Sequence, residues 1–474
     1  MSITNSSSAS ATTLYRTIWR WHFYAGLFVI PMILVLALTG AVYLFKPQVE
    51  RWEERAFQNL PIAEAVSPDA QVRAALAAFP GGRLHSYRVP AQEGDAAMIH
   101  LALPDGAMRD VFVSPRGRVL GALDPDTRIM QLVHDIHGQL LLGKRGSWLV
   151  ELAASWAIVM IVTGLILWWP RGRGLAGVIW PRLTLGRRAA WRDLHAVTGF
   201  WVSGLALVLL LTGLPWADVW GSAFKTVRTE LGWVKGAQDW TIGGRAPDAV
   251  DPHAEHDHAA MMAGMKGMDP GMNHAASDGS IPAMPGMQHV RLSRIVALAR
   301  SERLPFPVLV APPGAPGRFG KGQGHDWVVR SDTPNRPLRV TIVYDAMTGK
   351  EKRRETFADS HPIDRVVGYG VAWHEGALFG AINQAIGVLT ALMLVTLSVS
   401  GFVMWRRRKP ADRLGAPPLP ERSMLPRLVP AVVLLAAVLP LLALSLVGVI
   451  VLDRLVLPRL PRIGAWLGVR PAAG

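Results

Sequence analysis

Apolar residues in this chain are gathered into blocks. Mostly apolar runs lie at 22–45, 148–169, 196–216, 377–405 and 429–452, and a helix of about 20 such residues crosses the hydrocarbon core of a bilayer. The pattern predicts five membrane spans. Two long segments between them, 46–136 and 217–373, switch to the short period of strands. In the first, AAMIHLALPDGAMRDVFVSPRGRVLGALD alternates and is interrupted by Asp-Gly and Pro-Arg-Gly, a hairpin signal; LRVTIVYDAMTGKEKRRETF repeats the theme in the second. Residues 71–79 and 290–302 have the spacing of short amphipathic helices. Each long segment is therefore expected to hold its own small α+β module.

Composition and charge add direction. Half of the 474 residues are hydrophobic and 18 are Trp, the profile of a membrane protein. A net charge of +15 would suggest nucleic acid in a soluble chain, but the arginines cluster just outside the spans, which marks topology instead. Arg16 and Arg20 precede the first span, Arg171, Arg173, Arg182, Arg187, Arg188 and Arg192 lie between the second and third, and Arg406, Arg407, Arg408, Lys409 and Arg413 follow the fourth. In a bacterial inner membrane these segments would be cytoplasmic. The expected order is cytoplasmic 1–21, first span 22–45, periplasmic module 46–136, second span with a periplasmic lead-in 137–169, basic cytoplasmic loop 170–194, third span 195–216, second module 217–373, fourth span 374–405, cytoplasmic loop 406–428, fifth span 429–452 and tail 453–474. One crossing per run puts that tail in the periplasm, although Arg454, Arg459, Arg462 and Arg470 run against the trend. The first span is too long for a signal-peptide core and lacks a small-residue cleavage site, so it reads as retained. With no cysteine, iron–sulfur clusters and thiolate sites are excluded.

The spans repeat internally. Thr39-Gly40, Thr163-Gly164, Thr212-Gly213 and Ser400-Gly401 place a hydroxyl–glycine pair in each of the first four. His22 and His195 each have a glycine four residues on (Gly26, Gly199) and the hydroxyl-pair glycine 18 on. His137 and His374 each have a glycine six on (Gly143, Gly380), the hydroxyl-pair glycine 27 on, and Trp168 or Trp405 31 on. This reads as a duplication with both halves in the same orientation. His22 and His195 then share the cytoplasmic edge, and His137 and His374 the periplasmic edge. A lone interfacial histidine is usually a hydrogen-bonded structural residue; two matched pairs at membrane depth point to axial ligation of haem iron. Gly26 and Gly199, one turn from their histidines, would leave room for a porphyrin. His134 competes with His137 as a ligand or supporting group, but has no counterpart in the second half. His85, His100, His325 and His361 look isolated and structural.

The stretch HAEHDHAAMMAGMKGMDPGMNHAASDGSIPAMPGMQH is too polar to pack a core and reads as a disordered insertion, 253–289. It concentrates His253, His256, His258, His274 and His289 with Met261, Met262, Met265, Met268, Met272, Met284 and Met287. Thioethers favour Cu(I) and imidazoles suit Cu(II) or Zn, so the segment reads as a metal-binding loop, with copper the metal it suits, or as a flexible linker of incidental composition.

The segments HGQLLLGKRGSWLVELAASWAIVMIVTGLILWWPRGRG, WRDLHAVTGFWVSGLALVLLLTGLPWADVWG and WHEGALFGAINQAIGVLTALMLVTLSVSGFVMWRRRKPADRLGAP resemble the PepSY-associated transmembrane helix proteins. These are iron-regulated membrane proteins of the PiuB type that include ferrisiderophore reductases. The resemblance covers nearly the whole chain. It implies an α-helical integral membrane protein with periplasmic PepSY modules, binding two b-type haems and reducing ferric, often siderophore-bound, iron at the periplasmic face. Its haem histidines would map onto His22, His137, His195 and His374; the His/Met-rich insertion departs from the common pattern. No Gly-rich dinucleotide fingerprint follows a strand, so electrons would come from quinol or a separate cytoplasmic reductase. Two rival readings are a non-redox membrane protein that binds metal or regulates a periplasmic partner, and a metal transporter. The second is disfavoured because the spans show no buried Asp or Glu, Glu151 and Asp218 lying near the ends, and no Pro/Gly-broken helix pair.

Overall fold

The computed structural model describes residues 3–169, 176–233, 290–315, 324–419 and 425–469. The chain divides into a helical unit (Met1–Phe45, Val133–Val234 and Trp373–Gly474) and a sheet unit (Lys46–Leu132 and Lys235–Ala372).

Among the described residues of the helical unit, five helices are long and apolar enough to cross a membrane: Thr12–Tyr43, Gly143–Trp168, Arg187–Trp216, Ala381–Arg408 and Pro440–Arg459. The first four follow the expected spans. The first packs on the second and the fourth, and the third packs on the same two, which closes a ring of four. With no water in hydrocarbon, each backbone amide must bond within its own helix. Gly143 (φ +57°) and Gly380 (φ +59°), each six residues past a histidine, hold the left-handed backbone that starts the second and fourth spans. That conformation is open to glycine at little steric cost.

The last apolar stretch departs from a single span at 429–452. It is two helices, Leu425–Val438 and Pro440–Val451. Proline has no amide to donate and pushes its predecessor out of the helical region; Leu439 accordingly sits at φ −121°, ψ 90°. The Trp220 indole donates to the Val438 carbonyl at this break (3.0 Å), and Leu439 and Leu442 bury themselves against Ile158 and Leu214. The chain then runs back: the Trp156 indole donates to Ser445 (3.1 Å), the Tyr24 hydroxyl to the Leu467 carbonyl (2.7 Å), and the Leu414 amide to the Trp466 carbonyl (2.9 Å). Residues 414 and 466 thus meet at the end of the bundle that carries Arg20. The expectation that the tail lies at the opposite end is corrected, because a proline-centred reversal turns one run into an out-and-back pair.

The sheet unit holds a helix and four strands from each long segment, and joins the two halves through their edges. Among its described residues, eight strands form one antiparallel sheet in the order β4-β3-β2-β1-β5-β6-β7-β8. The first half is β1 (Arg83–Arg88), β2 (Ala97–Ala102), β3 (Met108–Val113) and β4 (Val119–Leu123). The second is β5 (Val308–Ala311), β6 (Trp327–Ser331), β7 (Val340–Tyr344) and β8 (Glu351–Thr356). Each half is a meander that follows a short helix, Pro68–Ala78 or Leu292–Ser301, near the amphipathic stretches expected. Tyr87 opposite Val310 joins the halves, and one core under both helices includes Ala75, Ile99, Val111, Ile295, Val329 and Ile342. A four-stranded half exposes an edge whose unpaired amides favour pairing; here each half covers the other's.

Candidate functional site

The four histidines selected by the repeat all lie in the helical unit, and the structure brings them together in two pairs. The rings of His22 and His195 lie edge to face with centres 6.5 Å apart at 88°, and those of His137 and His374 with centres 6.3 Å apart at 77°. All four rings are half-buried.

Each histidine reaches across to the hydroxyl–glycine pair of a neighbouring span. His22 Nδ1 lies 2.9 Å from the Thr163 hydroxyl, His137 Nδ1 3.0 Å from Thr39, and His374 Nδ1 3.1 Å from Thr212. His195 Nδ1 lies 3.1 Å from both Ser400 Oγ and the Leu397 carbonyl. The hydroxyl protons are already committed to their own helices: Thr163 donates to Val159, Thr39 to Val35, Thr212 to Val208 and Ser400 to Leu397. Each oxygen is therefore left to accept, and each imidazole carries its proton on Nδ1. The bare lone pair falls on Nε2 in all four rings, the state in which a neutral imidazole ligates a metal.

The glycine of each pair makes room for the same ring. A methyl group at Gly164 would come 3.2 Å from His22 Cε1, at Gly40 3.0 Å from His137 Cε1, at Gly213 3.3 Å from His374 Cε1, and at Gly401 3.2 Å from His195 Cε1. Gly26 and Gly199 face neighbouring spans. Side chains there would press on Met160 (3.2 Å) and Leu397 (3.3 Å) of adjacent spans, a close approach that small residues permit. The hydroxyl–glycine pairs were visible in the sequence as marks of register; their service to the histidine of another helix was not.

His134 is not opposite His374. Its Nδ1 lies 3.3 Å from Asp135, and its ring is tilted against Tyr43. Supporting contacts hold the pairs in place. Asp193, two residues before His195 and 1% exposed, accepts from Arg182 Nε (2.7 Å) and Arg192 Nη2 (2.8 Å). Asn383 donates to the Trp373 carbonyl beside His374 (3.1 Å), and Gln384 to that of Leu44 (2.9 Å). Glu151, 2% exposed, corrects the expectation that the spans bury no carboxylate. It accepts the Val219 (2.9 Å) and Trp220 (3.1 Å) amides, capping a helix, Asp218–Glu230, whose own N-cap residue is Ala217. A buried carboxylate so engaged is satisfied.

A pair of imidazoles can hold one metal ion between them. Bound through Nε2 on opposite faces of an ion, at metal–nitrogen bonds of about 2 Å, two imidazoles set their ring centres about 6 Å apart. Both observed separations fit. Among the described residues, no group of three or more His, Cys, Asp or Glu could hold a metal ion. His253, His256, His258, Met261, Met262, Met265, Met268, Met272, His274, Met284, Met287 and His289 lie outside the described residues.

Four apolar spans in a ring, with histidines paired across them, define a multi-pass membrane protein. The model of the PepSY-associated TM region matches residues 19–408, and the chain belongs to that family. No curated protein matches it.

Proposed function

We propose that the helical unit holds two b-type haems, one between His22 and His195 and one between His137 and His374. On this reading the protein is an inner-membrane electron-transfer protein that reduces ferric, siderophore-bound iron at the periplasmic face, with copper as a second metal. The observation that carries the proposal is the fourfold recurrence of one arrangement: a histidine whose Nδ1 is tied to a hydroxyl, whose ring lies on a glycine, and whose partner's ring centre is 6.3 or 6.5 Å away. A single such contact would be ordinary packing; four in duplicate register are a ligand set.

Haem bound in this way supplies one-electron chemistry inside the bilayer. The chain's own part is to hold and orient. The hydroxyls keep the proton on Nδ1 and present Nε2, the glycines admit the rings, and the apolar spans exclude water and contact lipid. A parallel duplication accounts for the matched depth of each pair, one toward the cytoplasmic face and one toward the periplasmic face. Because the chain has no dinucleotide fingerprint, its electrons come from quinol or a separate cytoplasmic reductase.

The test is the visible spectrum and haem-to-protein ratio of the purified full-length protein. Alanine at His22 or His195 should remove one haem and alanine at His137 or His374 the other, with His134→Ala mild. A colourless wild-type protein, or an unchanged ratio in all four variants, would overturn the proposal and favour a non-redox regulator.

A further inference from the structure

The sheet unit brings a third histidine pair together from residues that look isolated in the sequence. His85 and His100 lie on adjacent strands, with ring centres 6.4 Å apart at 77°. Their approach depends on a bulge. The β1–β2 register runs Leu84 with Leu101 and then Ser86 with His100, leaving His85 as the extra residue. Leu84 and Tyr87 both pack into the core under the helices, although residues three apart in a regular strand point to opposite faces. The bulge absorbs that mismatch by turning His85 away from the core; bulges often re-aim a side chain in this way. His100 is also on the far face, two residues from Met98, which packs with Phe112 in a separate cluster.

His100 has a carboxylate behind it. Asp110, directly opposite on β3, places Oδ1 2.5 Å from His100 Nδ1, and the Asp110 side chain is only 4% exposed. Asp110 stands at ion-pair distance from Nδ1 without making a hydrogen bond through Oδ1, and its Oδ2 lies 3.9 Å from Arg128; a carboxylate behind a histidine is the kind of neighbour that backs metal-bound imidazoles. The nearby Arg330 is itself paired with Asp332 (3.3 Å), and with the Asp110 charge this offsets the guanidinium.

We propose that His85 and His100, with Asp110 positioning His100, bind a borderline transition-metal ion of the class imidazole prefers, Zn2+, Cu2+ or Fe2+. Two protein nitrogens leave coordination positions for water or for a chelator that accompanies the ion. Both histidines are half-buried, so the site is open to exchange, which suits an ion in passage rather than a resident one. The site shares no residue with the histidine pairs of the helical unit and stands without the haem reading.

The test uses full-length protein in detergent, equilibrated with Zn2+ and freed of unbound metal by gel filtration. Bound zinc and the visible haem spectrum are read on the same fractions. His85→Gln and His100→Gln should each lower bound zinc by one equivalent, and the double variant by no more than one. Asp110→Asn should weaken that equivalent about 10- to 100-fold, as loss of a carboxylate behind a ligand does. His361→Gln, in which the lost Nδ1 accepts only the Ile363 amide, should leave it intact. The segment 253–289 is common to all variants and cancels in the comparison. To exclude misfolding, zinc should raise the melting temperature of wild type more than that of either His→Gln variant at equal elution volume. Unchanged zinc in both single variants overturns the proposal, as does a two-equivalent loss in the double; haem content tests only the reading of the helical unit.

Discussion

Replacing Thr212 with valine isolates what the hydroxyl does for a histidine of another helix. The change keeps the branched shape and removes one oxygen, which accepts from His374 Nδ1 at 3.1 Å and donates to the Val208 carbonyl at 2.8 Å. The carbonyl retains its helical amide partner, so the loss falls on the imidazole N–H, which is left with the Leu209 carbonyl as its acceptor. Removing a group that supports a ligand typically lowers metal affinity about 10- to 100-fold. At about 1.4 kcal/mol per factor of ten, that is a loss of about 1.4–2.8 kcal/mol. The control is Thr396→Val in the fourth span, where the hydroxyl donates to the Leu392 carbonyl (2.8 Å) on an exposed face. Haem titrated into stripped protein should bind Thr212→Val one to two decades more weakly, with an altered visible spectrum, and Thr396→Val as wild type. Equal affinities and spectra for the two variants would refute the claim that the hydroxyl holds the imidazole.

Gly146→Ala should be severe, because its methyl would fall 1.6 Å from the Gln139 carbonyl oxygen, and backbone must shift to admit it; loss of the His137–His374 haem with the other retained is the expected spectrum. Glu151→Leu leaves the Val219 and Trp220 amides without their acceptor, a lost cap worth about 0.5–2 kcal/mol, read as a lower melting temperature in detergent with haem content preserved. Deleting 253–289 should leave haem and ferric reduction intact while weakening Cu(I) affinity, measured by competition with a chromophoric chelator; unchanged copper affinity and unchanged cupric reoxidation would reduce the segment to a linker.

What could be read in the sequence follows from the range of the forces involved. The first four spans were legible because hydrocarbon imposes a length and a polarity on each one separately. The pairing of His22 with His195 and of His137 with His374 was legible because a duplication preserves spacing. The partner of each ring was not: Gly26 is near His22 in sequence, but the glycine under that ring is Gly164 on another helix. The single sheet was hidden for the same reason. β1 and β5 are short, lie more than 200 residues apart and meet through only two residue pairs, Tyr87 with Val310 and Arg88 with Leu309. His85 and His100 looked isolated because a bulge, not a motif, brings them together. Glu151 was placed near a span end by hydropathy, which carries no trace of the amides it caps.

The reversal at Leu439–Pro440 resolves a conflict that hydropathy left open. A fifth single span puts Arg454, Arg459, Arg462 and Arg470 on the face opposite the other arginine clusters, against the tendency of positive residues to remain cytoplasmic. In the structure the returning chain ends beside Arg20 and Tyr24 at the first span's leading end, with Leu414 bonded to Trp466. Arg454, Arg459 and Arg462 thereby join the side that carries Arg16 and Arg406–Arg408, and the charge rule holds along the chain. Leu460 is 41% exposed and can report the side directly. In this cysteine-free background, Leu460→Cys should resist a membrane-impermeant thiol reagent added from the periplasm, as should Thr184→Cys, while Gln92→Cys in the turn before β2 should react. Labelling of Leu460→Cys together with Gln92→Cys would restore the single fifth span and separate the tail from Arg20. Labelling of Thr184→Cys with Gln92→Cys protected would instead reverse the whole orientation, and with it the proposed direction of electron flow.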